Sequence, residues 1–293
     1  MSDKKKSDLG PRLLTALVAI PILLAIIFLT PPLGFSLLIT AAGAVTVWEY
    51  CQMTFGQEHP GGARLTTALS AALILCVTLW PDQAGLMASG CFIVLYAYYL
   101  LFYKDQAASS AQMSHSIAAL CYGALMFGCF ALLRIAGGDA GPFWVVMCLA
   151  IIWGSDTGAY FAGRTLGKRK LYPAVSPNKS VEGAIGGLVA SVLFAFGFDA
   201  LFGAIIGRPI VWELGAWTVQ LQWVQLDAWK LVVVAIPANL LGQTGDLVES
   251  LLKRAHGVKD SGAIFPGHGG MMDRIDALIF ASPWLYAFVR FIA

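Results

Sequence analysis

The chain has 293 residues, 58% of them apolar and 12% charged, with 19 basic against 17 acidic side chains and a net charge of +2. A soluble domain has roughly a quarter of its residues charged, so this chain cannot cover a water-facing surface and is neither a soluble globule nor a disordered tract. The near balance of charge implies no nucleic-acid partner, and the apolar runs that recur from Leu13 onward predict an integral membrane protein.

Residues 1–12, with Lys4, Lys5, Lys6 and Arg12, read as a cytoplasmic tail. A spanning helix needs about 20 mostly apolar residues. That template fits nine times, over 13–30, 34–50, 65–80, 84–103, 116–136, 142–163, 183–206, 229–250 and 275–292. The first run exceeds the apolar stretch of a signal peptide and no small-residue cleavage site follows it, so it reads as a retained helix. If the N-terminus is inside and the nine helices alternate, fifteen of the 19 basic residues fall on the cytoplasmic side, nine of them in the loops 164–182 and 251–274. The expected fold class is therefore an all-α polytopic membrane protein of about nine helices. Residues 13–140 form five apolar, structural helices, with Glu49 an isolated polar residue among them. Residues 141–293 form four more helices, where polar side chains enter the spans and a polar cavity faces the cytoplasm. The six cysteines lie before residue 150 without a CxxC pair and read as small apolar core residues.

The chemistry-bearing residues follow in chain order. Asp156 lies inside the sixth span with Tyr160 and Arg164 on the same helical face, and a carboxylate there either pairs near the interface or faces a polar cavity. The next loop is basic, as topology alone requires. Yet its Ser176-Pro177-Asn178-Lys179-Ser180 stretch runs into Glu182-Gly183, where Ser180 can cap a helix, and hydroxyls, an amide and a lysine at a helix start suit a phosphate. Gly183 and Gly187 have the spacing of close helix packing. In the eighth span Asp246, Glu249, Ser250 and Lys253 form one polar stripe, continued by Gln243. The loop beyond it holds Lys259, Asp260 and the run Pro266-Gly267-His268-Gly269-Gly270, whose backbone N–H groups suit phosphates. Asp273, Arg274 and Asp276 then open the ninth span. Carboxylates from two segments, with substrate phosphates completing the shell, are the usual means of holding Mg²⁺. His256 and His268 lie among oxygen donors, an unsuitable set for zinc.

The run from Ser250 to Asp276, with Lys253-Arg254, Lys259-Asp260, Gly262, Phe265 to Gly270 and Asp273-Arg274-Ile275-Asp276, resembles the signature of the phosphatidate cytidylyltransferases, or CDP-diglyceride synthases. The stretch Ser176 to Gly183 looks like a second motif of that family, with Ser180 where a Thr is expected. The resemblance implies a bacterial inner-membrane enzyme that converts CTP and phosphatidic acid into CDP-diacylglycerol and pyrophosphate with Mg²⁺, its site on the cytoplasmic side. It implies that Asp246 and Asp273 hold Mg²⁺ with Asp276 in support, and that Lys253, Lys259 and Arg274 neutralise phosphates. Asn178, Lys179, Ser180, Glu182, Ser250, Asp260, His268, Gly269, Gly270, Asp156 and Glu249 then serve the substrates. A second cation and a homodimer stay open. So do two other functions. A CTP-dependent lipid kinase would release CDP rather than pyrophosphate, and an ion-coupled transporter would have no use for the glycine-rich loop.

Overall fold

The structure, a computed structural model, describes residues 9–102, 105–214, 217–265 and 269–293. Helix follows helix, each opened or closed by an identifiable residue. Helix α1 (Leu9–Leu29) meets α2 (Pro32–Thr54) at a proline pair, and α3 (Pro60–Leu79) also opens on proline. Proline lacks only a donor that the first helical turn leaves unpaired, and its fixed φ suits that position. A short 3₁₀ turn, Pro81–Gln83, leads into α4 (Ala84–Leu101). The Asp105 side chain accepts from Ala108 N at 2.8 Å and so starts α5 (Gln106–Ala119). This helix continues through a π-helical segment, Leu120–Met126, into α6 (Phe127–Ala136) as one rod.

The second half comprises α7 (Gly141–Leu166), the hairpin β1 (Lys170–Tyr172) and β2 (Ser176–Ser180), α8 (Val181–Ile205), the hairpin β3 (Ile210–Leu214) and β4 (Trp217–Leu221), α9 (Ala228–Ala255) and α10 (Met272–Phe291). Each predicted span falls on a helix, and the all-α reading holds. Among the described residues, seven helical segments are long and apolar enough to cross a membrane: α2, α3, α4 with its 3₁₀ turn, the α5–α6 rod, α7 with the 3₁₀ turn before it, α8 and α9. Helix α1 contributes a shorter apolar stretch, Leu17–Leu29. Helix α10, which carries Asp273, Arg274, Asp276 and Arg290, falls outside the seven. The fifth predicted span begins ten residues late: the helix already starts at Gln106, in polar sequence that hydropathy does not register. The two hairpins are absent from the sequence reading. The stretch expected as a phosphate-binding loop is strand β2, paired antiparallel with β1 in the register Lys170↔Ser180.

Helices α7 and α8 make the closest packing. A Cβ on Gly158 would lie 2.6 Å from Gly186 O, and one on Gly183 would lie 3.0 Å from Ala159 O, so backbone meets backbone along this pair. Buried aromatic side chains, among them Phe127, Phe143, Trp144 and Phe288, fill the interior where α6, α7 and α10 meet. The hairpin β1–β2, the C-terminal ends of α2 and α9 and the N-terminal ends of α8 and α10 share one end of the bundle, as the contacts below show. At the other end Gln222 N donates to Asp139 O at 3.2 Å, joining β4 to the turn before α7.

Candidate active site

Between α7, α8, α9 and the β1–β2 hairpin lies a cavity of about 470 Å³. Its lining is apolar or small at Ile152, Ala159, Ala184 and Gly242, and polar at Asp156, Tyr160, Arg164, Asn178, Lys179, Ser180 and Asp246. Asp246, at the head of the α9 stripe, and the polar strand β2 thus face each other, and Lys179 Nζ meets Asp246 Oδ2 at 2.5 Å. Asp156 and Asp276 both lie within reach of the Asp246 charge, answered by Lys179, and Arg274 acts on Asp156. Arg164 Nη1 donates to Tyr160 Oη at 2.7 Å one turn along α7.

A buried amide relay fixes this wall. Asn239 is wholly buried and donates to Ser155 Oγ at 2.6 Å. Gln243 Nε2 donates to Asn239 Oδ1 at 2.8 Å and to Ala184 O at 3.1 Å, so α7, α8 and α9 are tied through side chains. Amides buried without partners are costly, and paired this way they fix register. The hairpin is held from α8: Ser180 Oγ accepts from Gly183 N at 3.1 Å as the helix cap, and Glu182 accepts from Lys168 N and Arg169 N.

Next to the cavity, α9 and α10 enclose a second polar cluster. Lys253 Nζ contacts Glu249 Oε2 at 2.7 Å and Asp273 Oδ1 at 2.6 Å, with all three side chains largely buried. Asp273 Oδ2 accepts from Ser261 N and Ser261 Oγ, each at 2.9 Å, and from Gly270 N at 2.8 Å. Gly269 permits this turn because its φ is +79° and a Cβ there would lie 2.6 Å from Asp273 Oδ2. From α2, Glu49 accepts from Met271 N at 3.0 Å, Met272 N at 2.9 Å and Ser261 Oγ at 3.1 Å.

Most of the residues named from the sequence therefore meet at one end of the bundle, but in two groups. Asp156, Asn178, Lys179, Ser180 and Asp246 surround the cavity, with Asp276 beside it. Glu249, Lys253, Asp273 and Gly270 form the enclosed cluster with Gly269 in its turn; Glu249 is 1% exposed and serves Lys253. Glu182 supports the hairpin backbone. Ser250 is half-buried, and Lys259, Asp260 and Arg274 are exposed on the loop and the first turn of α10. His268 lies outside the described residues. His256 donates from Nδ1 to Leu252 O, and its ring packs against His115. Among the described residues, no three His, Cys, Asp or Glu side chains are grouped so as to hold a metal ion by themselves.

Four further residues belong to this end of the molecule: Glu49, Ser155, Asn239 and Tyr122. Glu49 stands alone as a carboxylate inside the predicted spans of the apolar half, and that isolation was its one sequence signal. Asn239 lies one turn before Gln243, on the line of the polar stripe. Tyr122 sits in the π-helical segment; its hydroxyl is buried without a hydrogen-bond partner among the described residues and lies within reach of the Asp276, Glu249 and Asp246 charges. π-Helical segments cluster at functional sites, but neither composition nor periodicity reveals one.

Known proteins resemble the chain over most of its length. The model of the cytidylyltransferase family matches residues 10–292. The chain is 33% identical over 288 residues to a phosphatidate cytidylyltransferase of Bacillus subtilis, covering 95% of this chain and 97% of that protein. It is 32% identical over 296 residues to one of Synechocystis sp., covering 88% and 92%. To one of Staphylococcus haemolyticus it is 36% identical over 221 residues, covering 73% and 76%.

Proposed function

The chain belongs to the cytidylyltransferase family, and from that premise we infer that it transfers the cytidylyl group of CTP to phosphatidic acid, giving CDP-diacylglycerol and pyrophosphate. The observation that carries this reading is the meeting of two motifs 67 residues apart, Lys179 on β2 and Asp246 on α9, at a cavity lined by both charged and apolar side chains. A nucleotide triphosphate needs the cations of that lining. A diacyl lipid needs apolar surface that leads into the bilayer, which the exposed Tyr160, Phe161 and Ile185 of α7 and α8 supply.

A phosphate oxygen of phosphatidic acid is already anionic at neutral pH, so it attacks the α-phosphorus of CTP without a strong general base. The new bond joins that oxygen to the α-phosphorus, and the bond to the oxygen bridging α and β breaks, so that oxygen leaves with pyrophosphate. Catalysis of such transfers rests mainly on positioning and charge neutralisation. Lys179 and Arg164 line the cavity and take phosphate oxygens from the β2 and α7 sides. Lys253, held between two carboxylates, and the exposed Lys259 and Arg274 take them from the α9–α10 side. Asn178 and Ser180 offer neutral donors between them.

The residues present fit Mg²⁺. The donors are all oxygen, Asp246 and Asp276 stand beside the cavity, and Glu249 Oε1 is buried with no hydrogen-bond partner among the described residues. Mg²⁺ commonly takes only one or two carboxylates and fills its shell with phosphates and water, so a cage of three protein ligands is not required. Two of the carboxylates Asp246, Asp273 and Asp276 would hold the ion, which when bound offsets charge on the α-phosphate and the departing pyrophosphate. With this end of the bundle facing the cytoplasm of a bacterial inner membrane, CTP reaches the site from solution while phosphatidic acid arrives from the bilayer.

The test is incubation of detergent-purified protein with phosphatidic acid, Mg²⁺ and labelled CTP. CDP-diacylglycerol and pyrophosphate are expected in equal amounts. Release of CDP with a phosphorylated lipid alcohol would establish a kinase instead, and no product with any lipid acceptor would refute the reading.

A further inference from the structure

We infer that Glu49, on the second helix of the apolar half, is a positioning residue for cytidylyl transfer: it locks the turn from Ser261 to Met272 and thereby sets Asp273 against Lys253. The inference rests on the reaction proposed above and adds to it a residue that no sequence motif contains. Glu49 is 6% exposed near the end of α2. A carboxylate in a membrane helix is costly unless it is paired, and here it accepts three hydrogen bonds from residues more than two hundred positions away. Two of the donors, Met271 N and Met272 N, belong to the start of α10, where the first N–H groups have no partner within the helix and attract a negative charge.

The surrounding chain is shaped to admit this carboxylate. A Cβ on Gly270 would lie 2.5 Å from Glu49 Oε2, and one on Gly262 would lie 2.8 Å from Glu49 Cδ. Two glycines of the loop thus give up side chains to let Glu49 in, a second demand on them besides phosphate binding. Ser261 connects the two carboxylates: its hydroxyl lies 3.1 Å from Glu49 Oε2 and 2.9 Å from Asp273 Oδ2. The hydroxyl has one hydrogen to divide between them, while Ser261 N remains bound to Asp273. Among the described residues, the side-chain hydrogen bonds that tie the loop between α9 and α10 to any other helix all end on Glu49. Without that tie, the side-chain hydrogen bonds of the turn that presents Gly270 N and Ser261 to Asp273 reach, among the described residues, only the two helices it connects.

Glu49→Gln keeps the volume but puts an amide NH₂ against backbone N–H groups that need an acceptor. The expected result is a fall in kcat of roughly tenfold or more, as for residues that orient a ligand rather than touch the substrate, with the KM for CTP little changed. Glu49→Asp keeps the charge one methylene short and should recover part of the lost kcat. Glu58→Gln, which removes an exposed carboxylate beyond the end of α2, is the charge control and should match wild type. A readout independent of activity is the rate of trypsin cleavage at Lys259 in the detergent-purified protein, which should rise in Glu49→Gln as the loop opens locally.

A wild-type kcat per folded molecule in Glu49→Gln would overturn the proposal, as would an unchanged cleavage rate at Lys259. If Glu49→Gln does not fold, Glu49→Asp carries the test: an intermediate kcat is expected and a wild-type kcat overturns it. Should wild-type protein make no CDP-diacylglycerol, the reaction is wrong, yet the trypsin comparison still decides whether Glu49 holds the loop.

Discussion

Asp246 and Asp273 carry the same charge in different surroundings, and this separates what their removal does. The Asp246 side chain is 36% exposed and pairs with a Lys179 that is 28% exposed. Such a pair is worth about 1 kcal/mol or less to stability. Asp273 is 7% exposed and accepts from Lys253, Ser261 and Gly270, so Asp273→Asn leaves backbone donors and an ammonium short of an acceptor. That loss costs about 1–3 kcal/mol. Both Asn variants are therefore expected to abolish CDP-diacylglycerol formation, but only Asp273→Asn should lower the thermal midpoint clearly. Lys253→Gln should lower it furthest, because Glu249 and Asp273 would then be buried side by side with their shared cation gone. Melting in detergent and product formation against Mg²⁺ concentration read the two effects separately. Folded Asp246→Asn or Asp273→Asn protein with the wild-type rate and Mg²⁺ dependence would exclude the replaced residue from metal binding.

At the scale of elements, the contact between α7 and α8 gives the site its outer wall, and it depends on the absence of side chains. Gly158 and Gly186 meet backbone to backbone, whereas Gly197, later on α8, faces open space. Gly186→Leu should force the helices apart at a cost of about 1–3 kcal/mol, lowering both the thermal midpoint and activity, while Gly197→Leu should change neither; equal behaviour of the two would show that the close contact is not needed. The spacing of Gly183 and Gly187 made this packing legible in sequence, as runs of some twenty apolar residues made the spans legible. The stripe of α9 was legible too, because helical periodicity alone puts Asp246, Glu249 and Lys253 on one face. The β1–β2 hairpin was not legible: its strands are short and polar, one contains Pro177, and they are held by a Glu182 carboxylate that belongs to the next helix. Glu49 was visible only as an oddity, since its partners are set by how α2 packs against α10 and by nothing in its own neighbourhood.

The whole molecule joins these parts at one end. Lys179 meets Asp246, and Glu49 meets Met271 and Met272, so the end of α2, the β1–β2 hairpin and the α9–α10 loop lie at a common level. Alternating helices had put those same segments together on the basic side, and the contacts bring them together independently of any charge count. Arg64, Arg164, Lys168, Arg169, Lys170, Lys179, Lys253, Arg254, Lys259 and Arg274 belong to this end, against Arg134, Arg208, Lys230 and Arg290 towards the other. Basic residues in short loops tend to stay in the cytoplasm, so this end of the bundle is expected there, as the proposed use of CTP requires. In a variant freed of its six cysteines, Tyr172→Cys at the hairpin tip and Ala263→Cys in the loop, both exposed, are expected to resist a membrane-impermeant maleimide in intact cells and to react after lysis. Ile210→Cys on β3, 40% exposed, should react in intact cells, after outer-membrane permeabilisation where there is one. Labelling of position 172 or 263 in intact cells would place the site on the opposite face. Labelling at one of the two positions and not the other would break the common level that the Lys179–Asp246 and Glu49–Met272 contacts require.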